Sequence, residues 1–101
     1  MAKVYIVYER LYRKAYYAEP HEEERIVKVF DDYNKTIDYI CDAINKYHKE
    51  IDESNGDLTH WHKYEPNPDR FMEGRLISSV EYTDKNYYDS LSYRFRSYEV
   101  E

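Results

Sequence analysis

The spacing of apolar positions changes character near the middle of the chain. Residues 25–30 hold Ile26, Val27, Val29 and Phe30 in a short run typical of a strand. From Tyr33 on, Tyr33, Ile37, Ile40, Ile44, Tyr47 and Ile51 alternate spacings of four and three residues, which keeps them on one stripe of a 3.6-residue helix. Cys41 and His48 flank the stripe, while Lys35, Asp38, Asp42, Asn45, Lys46, Lys49 and Glu50 fall mostly away from it. Asp32 or Asn34 is placed to cap the first free N–H groups, where negative charge also suits the helix end. Asn55-Gly56 is the expected stop, because glycine takes the left-handed conformation at low cost.

The flanking regions read as strands and loops. Val4-Tyr5-Ile6-Val7-Tyr8 is a continuous β-branched and aromatic run, which predicts a strand over 3–12 covered on both faces and central in a sheet. Pro20 and the three glutamates after His21 predict a turn before the second strand at 25–30, with Ile26 on one face and Val27 and Val29 on the other. Residues 53–68 form the longest irregular stretch, and a loop of that length in a small domain suggests a function. Residues 70–82 are read as a third strand with a bend or bulge at Gly74, and residues 91–100 as a fourth. In the fourth, Leu91, Tyr93 and Phe95 share a face, and Tyr98 and Val100 join them only if a bulge falls near Arg96-Ser97. The expected fold is a single α+β domain over residues 1–101: a mostly antiparallel four-stranded sheet with one long amphipathic helix on one face, in the order β-β-α-β-β.

Composition narrows the function classes. The chain has 101 residues, 14 of them tyrosine and 3 phenylalanine, so much of its apolar surface carries a hydroxyl suited to the boundary between core and water. Two glycines leave no phosphate-cradling loop, and no Walker, dinucleotide or G-x-S-x-G motif is present. One cysteine precludes an intrachain disulfide; the opening residues lack a signal-like apolar run and no segment could span a bilayer, so the expectation is a cytoplasmic protein. The net charge is −6, and its distribution is uneven: residues 19–57 hold twelve acidic and five basic side chains, against nine and ten elsewhere. That argues against direct binding to nucleic-acid phosphates and is compatible with a basic protein partner, although a solvated acidic face that keeps the protein soluble would look the same.

Candidate chemistry is sparse. His60-x-His62 would point both imidazoles one way in an extended segment, but zinc needs at least one more ligand, from His21, His48, Cys41 or Asp57, and no CxxC or HExxH motif supplies it. Cys41 lies beside the apolar stripe, two helical turns from His48, and reads as structural. Asp38 and Asp42 stand one turn apart on the exposed helix face. With Asp31, Asp32, Glu50, Asp52 and Glu53 they line the outer side of the helix and its ends, a rod of negative charge that can imitate a nucleic-acid backbone, diluted by Lys35, Lys46 and Lys49. Trp61 and Tyr64, with Pro66-x-Pro68, supply either a lid over the core or a binding anchor.

The opening Lys3-Val4-Tyr5-Ile6-Val7, and Val29-Phe30-Asp31-Asp32 leading into Lys35-Thr36-Ile37-Asp38-Tyr39-Ile40, resemble a group of short phage and prophage proteins of unknown function. Such proteins look like two strands followed by a helix, and often close on a short acidic sequence, as Tyr98-Glu99-Val100-Glu101 does here. The likeness covers about half the chain, which departs from the group in its His/Trp loop and in Thr36 where alanine is more usual. It implies a mobile-element accessory protein of the kind that inhibits host defences, CRISPR effectors included. The expected function is thus a non-catalytic inhibitor with no cofactor, metal, direct nucleic-acid or membrane contact. It would bind a host protein, a basic nucleic-acid-handling complex, through Asp31, Asp32, Asp38, Asp42, Glu50, Asp52, Glu53, Trp61 and Tyr64. The alternatives are a small-ligand or zinc protein built on His60 and His62, and an accessory subunit or homodimer that pairs through a strand edge.

Overall fold

A computed structural model describes residues 2–54 and 58–100. Five strands and one long helix follow in the order β1 (Ala2–Ala15), β2 (His21–Phe30), α1 (Tyr33–Glu53), β3 (Trp61–Lys63), β4 (Ile77–Thr83) and β5 (Tyr87–Val100), with three-residue 3-10 turns at Leu58–His60 and Pro68–Arg70. The strands form one antiparallel sheet in the order β2-β1-β5-β4-β3. The α+β class and the single helix agree with the sequence pattern. The strand count does not: the sheet has five strands, because Trp61–Lys63, inside the segment expected to be loop, pairs with β4. The expected third strand also starts late, at Ile77 rather than residue 70. Gly74 lies before β4 with φ 80°, where its N–H donates to the Phe95 carbonyl at 2.8 Å.

The first strand is internal, between β2 and β5, but only one of its faces meets the helix. Tyr5, Val7 and Leu11 join the core on that side, and only Val7 is fully buried. The expectation of cover on both faces fails because α1 is the sole helix among the described residues. The β1–β5 register runs without a break from Ala2 opposite Val100 to Ala15 opposite Tyr87. Hence no bulge restores Tyr98 and Val100 to the face of Leu91, Tyr93 and Phe95, and they turn to the opposite side. A bulge does occur in β2: Lys28 lies opposite Val7 and Ile26 opposite Tyr8, leaving Val27 extra. Val27 packs on the core, while Ile26 and Val29 share the other face, against the expected pairing of Val29 with Val27.

Helix α1 starts at the Asp32 cap, whose side chain accepts the Lys35 N–H at 3.0 Å. Thr36 Oγ1 donates to the Asp32 carbonyl at 2.8 Å and is wholly buried. Ser54 is the last capping residue, its N–H bonded to the Ile51 carbonyl; the expected Asn55-Gly56 stop lies outside the described residues. The buried stripe is Thr36, Ile37, Ile40, Ile44, His48 and Ile51. It is rotated from the stripe read in the sequence, with Thr36 and His48 inside, Tyr47 half-buried and Tyr33 exposed. The helix crosses the sheet obliquely. Its first turns meet Tyr5, Phe30 and Phe95 through the rings of Tyr33 and Tyr39, and its last turns reach β4 and β3 through His48 and Asp52. Val80, Leu91, Tyr93 and Phe95 complete the core beneath it.

Candidate functional site

The outer side of α1 carries the charge. Asp31, Asp38, Asp42 and Glu50 are exposed and make no ion pair among the described residues. Asp38 and Asp42 stand one turn apart on a helix whose far side is locked into the core by Ile37, Ile40 and Ile44, so their spacing is fixed by the backbone. The other carboxylates in the expected set have partners. Asp32 is spent on the cap; Asp52 accepts from Lys63 Nζ at 2.6 Å; Glu53 lies 3.8 Å from Lys49 Nζ, one turn back. The acidic surface therefore narrows to Asp31, Asp38 and Asp42 toward the helix start and Glu50 toward its end.

Trp61 and Tyr64 do not join that surface. Trp61 is half-buried in β3, its ring 5.1 Å from that of Tyr82 in an edge arrangement, and it packs against the core. It acts as a lid over the core rather than a free anchor. Tyr64 follows β3, with its N–H donated to the Ser79 carbonyl and its hydroxyl to Glu81 at 2.8 Å. Glu81 alternates with Val80 and Tyr82 of the helix side, so Tyr64 reaches the sheet face opposite α1. The nine expected contact residues thus occupy two sides of the molecule.

The histidines of the loop are separated by the same geometry. His60 ends a 3-10 turn, with Nδ1 3.0 Å from the Thr83 carbonyl and its ring against Tyr82, whereas His62 sits in β3 opposite Glu81. Among the described residues no group of three His, Cys, Asp or Glu side chains is arranged to hold a metal ion. Asp57, one of the ligands considered for such a site, lies outside the described residues. Burial pushes the Cys41 thiol up, and the nearby charges of Asp38 and Asp42 push it further, which disfavours the thiolate that nucleophilic chemistry requires.

A groove of about 480 Å³ opens between α1 and the sheet, bordered by Glu9, Arg25, Tyr39, Lys46, Tyr47 and Tyr93 among others. Its polar groups bind one another. Glu9 Oε1 accepts two bonds from Arg25, at 3.0 and 3.2 Å, and Glu9 Oε2 accepts the Tyr93 hydroxyl at 3.0 Å. Burial, with the Glu9 charge second, drives the Tyr93 phenol well above its ordinary value and keeps it a donor. No local pattern marks this trio, since Glu9 and Tyr93 are 84 residues apart.

No helix among the described residues is long and apolar enough to cross a membrane. Comparison with protein-family models, curated proteins and solved structures found no match.

Proposed function

We propose that this protein is a non-catalytic inhibitor of the phage or prophage accessory type. It binds a basic, nucleic-acid-handling host protein of a defence complex with the outer face of α1, and works without a cofactor or metal. The observation that carries this reading is the pair Asp38 and Asp42, exposed, without counter-ion among the described residues and fixed one turn apart on a packed helix. Fixed carboxylates on a rigid rod steer a basic groove toward the helix and occupy the positions of backbone phosphates there. Asp31 and Glu50 extend the same charge toward the two helix ends.

Occupying a phosphate-binding groove must exclude nucleic acid. A host complex captured by the native chain should therefore lose its labelled oligonucleotide as the chain is added, in proportion to occupancy. Retention of oligonucleotide at full occupancy would place the contact elsewhere on the partner and end the mimicry reading.

A further inference from the structure

The chain returns to the start of α1 at the 3-10 turn Pro68–Arg70. Between the helix and this turn opens a pocket of about 470 Å³, bordered by Tyr33, Asn34 and Asp38 on one side and by Pro68, Asp69 and Phe71 on the other. Each side is fixed by its own bonds. Asp32 caps the helix, and buried Ile37 holds its first turns to the core. Asn67 caps the turn, its side chain accepting the Asp69 N–H at 3.2 Å, while the Phe71 N–H bonds the Pro68 carbonyl at 3.2 Å and the Phe71 ring packs on the core.

The charge of this pocket is one-sided. The charged residues that border it are Asp38 and Asp69, and neither makes an ion pair among the described residues. The nearby cations leave them so. Lys35, one turn before Asp38, and Arg70, next to Asp69, pair with no carboxylate among the described residues, and Arg70 borders a separate groove with Tyr64 and Glu65. Lys3 and Arg96 act on Glu73, which accepts the Ser97 hydroxyl. A helix start attracts anions, but here the Asp32 carboxylate already takes that place. Two carboxylates are too few to hold a metal ion, and among the described residues no third ligand joins them. Tyr33 supplies the rest: its ring is 43% exposed and held edge-on to Tyr5 and Phe95, 5.9 Å from each. Carboxylates beside a fixed aromatic ring suit a guanidinium, which donates to the first and stacks on the second.

We propose that this pocket receives an arginine side chain of the basic partner, with its guanidinium between Asp38 and Asp69 and against the Tyr33 ring. The inference rests on the partner reading above for the source of the arginine, and on the pocket's own residues for the choice of a guanidinium. It extends the contact surface off the helix to Asp69, and it makes Asp38 rather than Asp42 the anchor.

Titration of the native chain with N-acetyl-arginine methylamide, which carries a guanidinium and no other charge, tests this by amide proton–nitrogen NMR. The expected result is saturable binding in the millimolar range, weakened by salt, with shifts centred on Asn34, Asp38, Asp69 and Phe71. The citrulline analogue, of the same shape without the charge, should leave these signals unmoved. Asp69→Asn should weaken binding about two- to fivefold, the range of an exposed ion pair. Asp38→Asn should do the same and serves if the first variant does not fold. Asp42→Asn should leave the shifts in place. Equal shifts with citrulline, shifts centred instead on Asp31, Asp42 or Glu50, or undiminished binding by both pocket variants would overturn the proposal. A native chain that captures its host protein but does not bind the arginine probe would remove the pocket and leave the partner reading standing. Probe binding in the pocket with no host protein captured would do the reverse.

Discussion

His48 Nε2 donates to the carbonyl oxygen of Ser79 at 2.9 Å and thereby ties the last turns of α1 to β4. The same carbonyl accepts the Tyr64 N–H at 2.9 Å, so one buried oxygen joins the helix, β4 and the segment after β3. Ser79 can do this because the β4–β5 register shifts between Ser78 and Val80, which turns its carbonyl out of the β5 ladder.

Removing the imidazole should cost little for a buried polar contact. In His48→Leu the Ser79 oxygen keeps the Tyr64 donor, so the expected loss is about 1 kcal/mol rather than the roughly 3 kcal/mol of an orphaned carbonyl. Urea unfolding of the variant checks this, and a loss several times larger would show that His48 does more than bridge to Ser79.

Gly74 sits at φ 80°, a region that costs a residue with a side chain about 1–2 kcal/mol. An added Cβ would meet its nearest atom, in the Arg96 guanidinium, at 3.6 Å, so backbone strain and not crowding sets the cost. Gly74→Ala should fall in that range by thermal unfolding, whereas Gly74→Asn should lose less, because asparagine tolerates this conformation better.

Asp89 behaves oppositely to a well-paired acid. Burial raises its pKa above the ordinary value, and Arg13, with Nε 3.5 Å from Oδ2, offsets this only in part. The folded state therefore holds a proton on Asp89 more readily than the unfolded state does. Its charge costs stability at neutral pH, and that cost is relieved as pH falls through the raised pKa. Asp89→Asn should melt no lower than the native chain at pH 7, and any advantage should vanish under acid conditions. A variant clearly less stable at pH 7 would mean that the Arg13 contact outweighs the burial.

Much of this fold is written in local pattern. The helix follows from isoleucines at helical spacing and the Asp32 cap, and β1 from its β-branched run. The three-residue β3 was not readable, because Trp61–Lys63 has no alternation long enough to mark a strand and exists only through β4. The inward turn of Thr36 and His48 was hidden for a related reason: polar residues enter a core when a partner awaits them, and those partners are the Asp32 carbonyl and one 31 residues away on Ser79. The turn of Ile26 and Val29 to the sheet face away from α1 depends on a bulge at Val27 that no residue type signals. The acidic helix was legible as charge, but not the pairing that withdraws Asp52 and Glu53 from it, nor the placement of Tyr64 on the other side of the sheet.

The claim that α1 guides binding to a basic partner is tested most directly by affinity capture from bacterial lysate, comparing the native chain with a variant in which Asp38, Asp42 and Glu50 are all changed to Lys. These three side chains are exposed, make no ion pair among the described residues and lie off the buried stripe, so the variant should keep the native circular dichroism spectrum. The native chain should retain a basic nucleic-acid-handling protein, added salt should weaken the capture, and the variant should retain none of it. Equal recovery by both chains, or no such protein recovered by the native one, would contradict the claim.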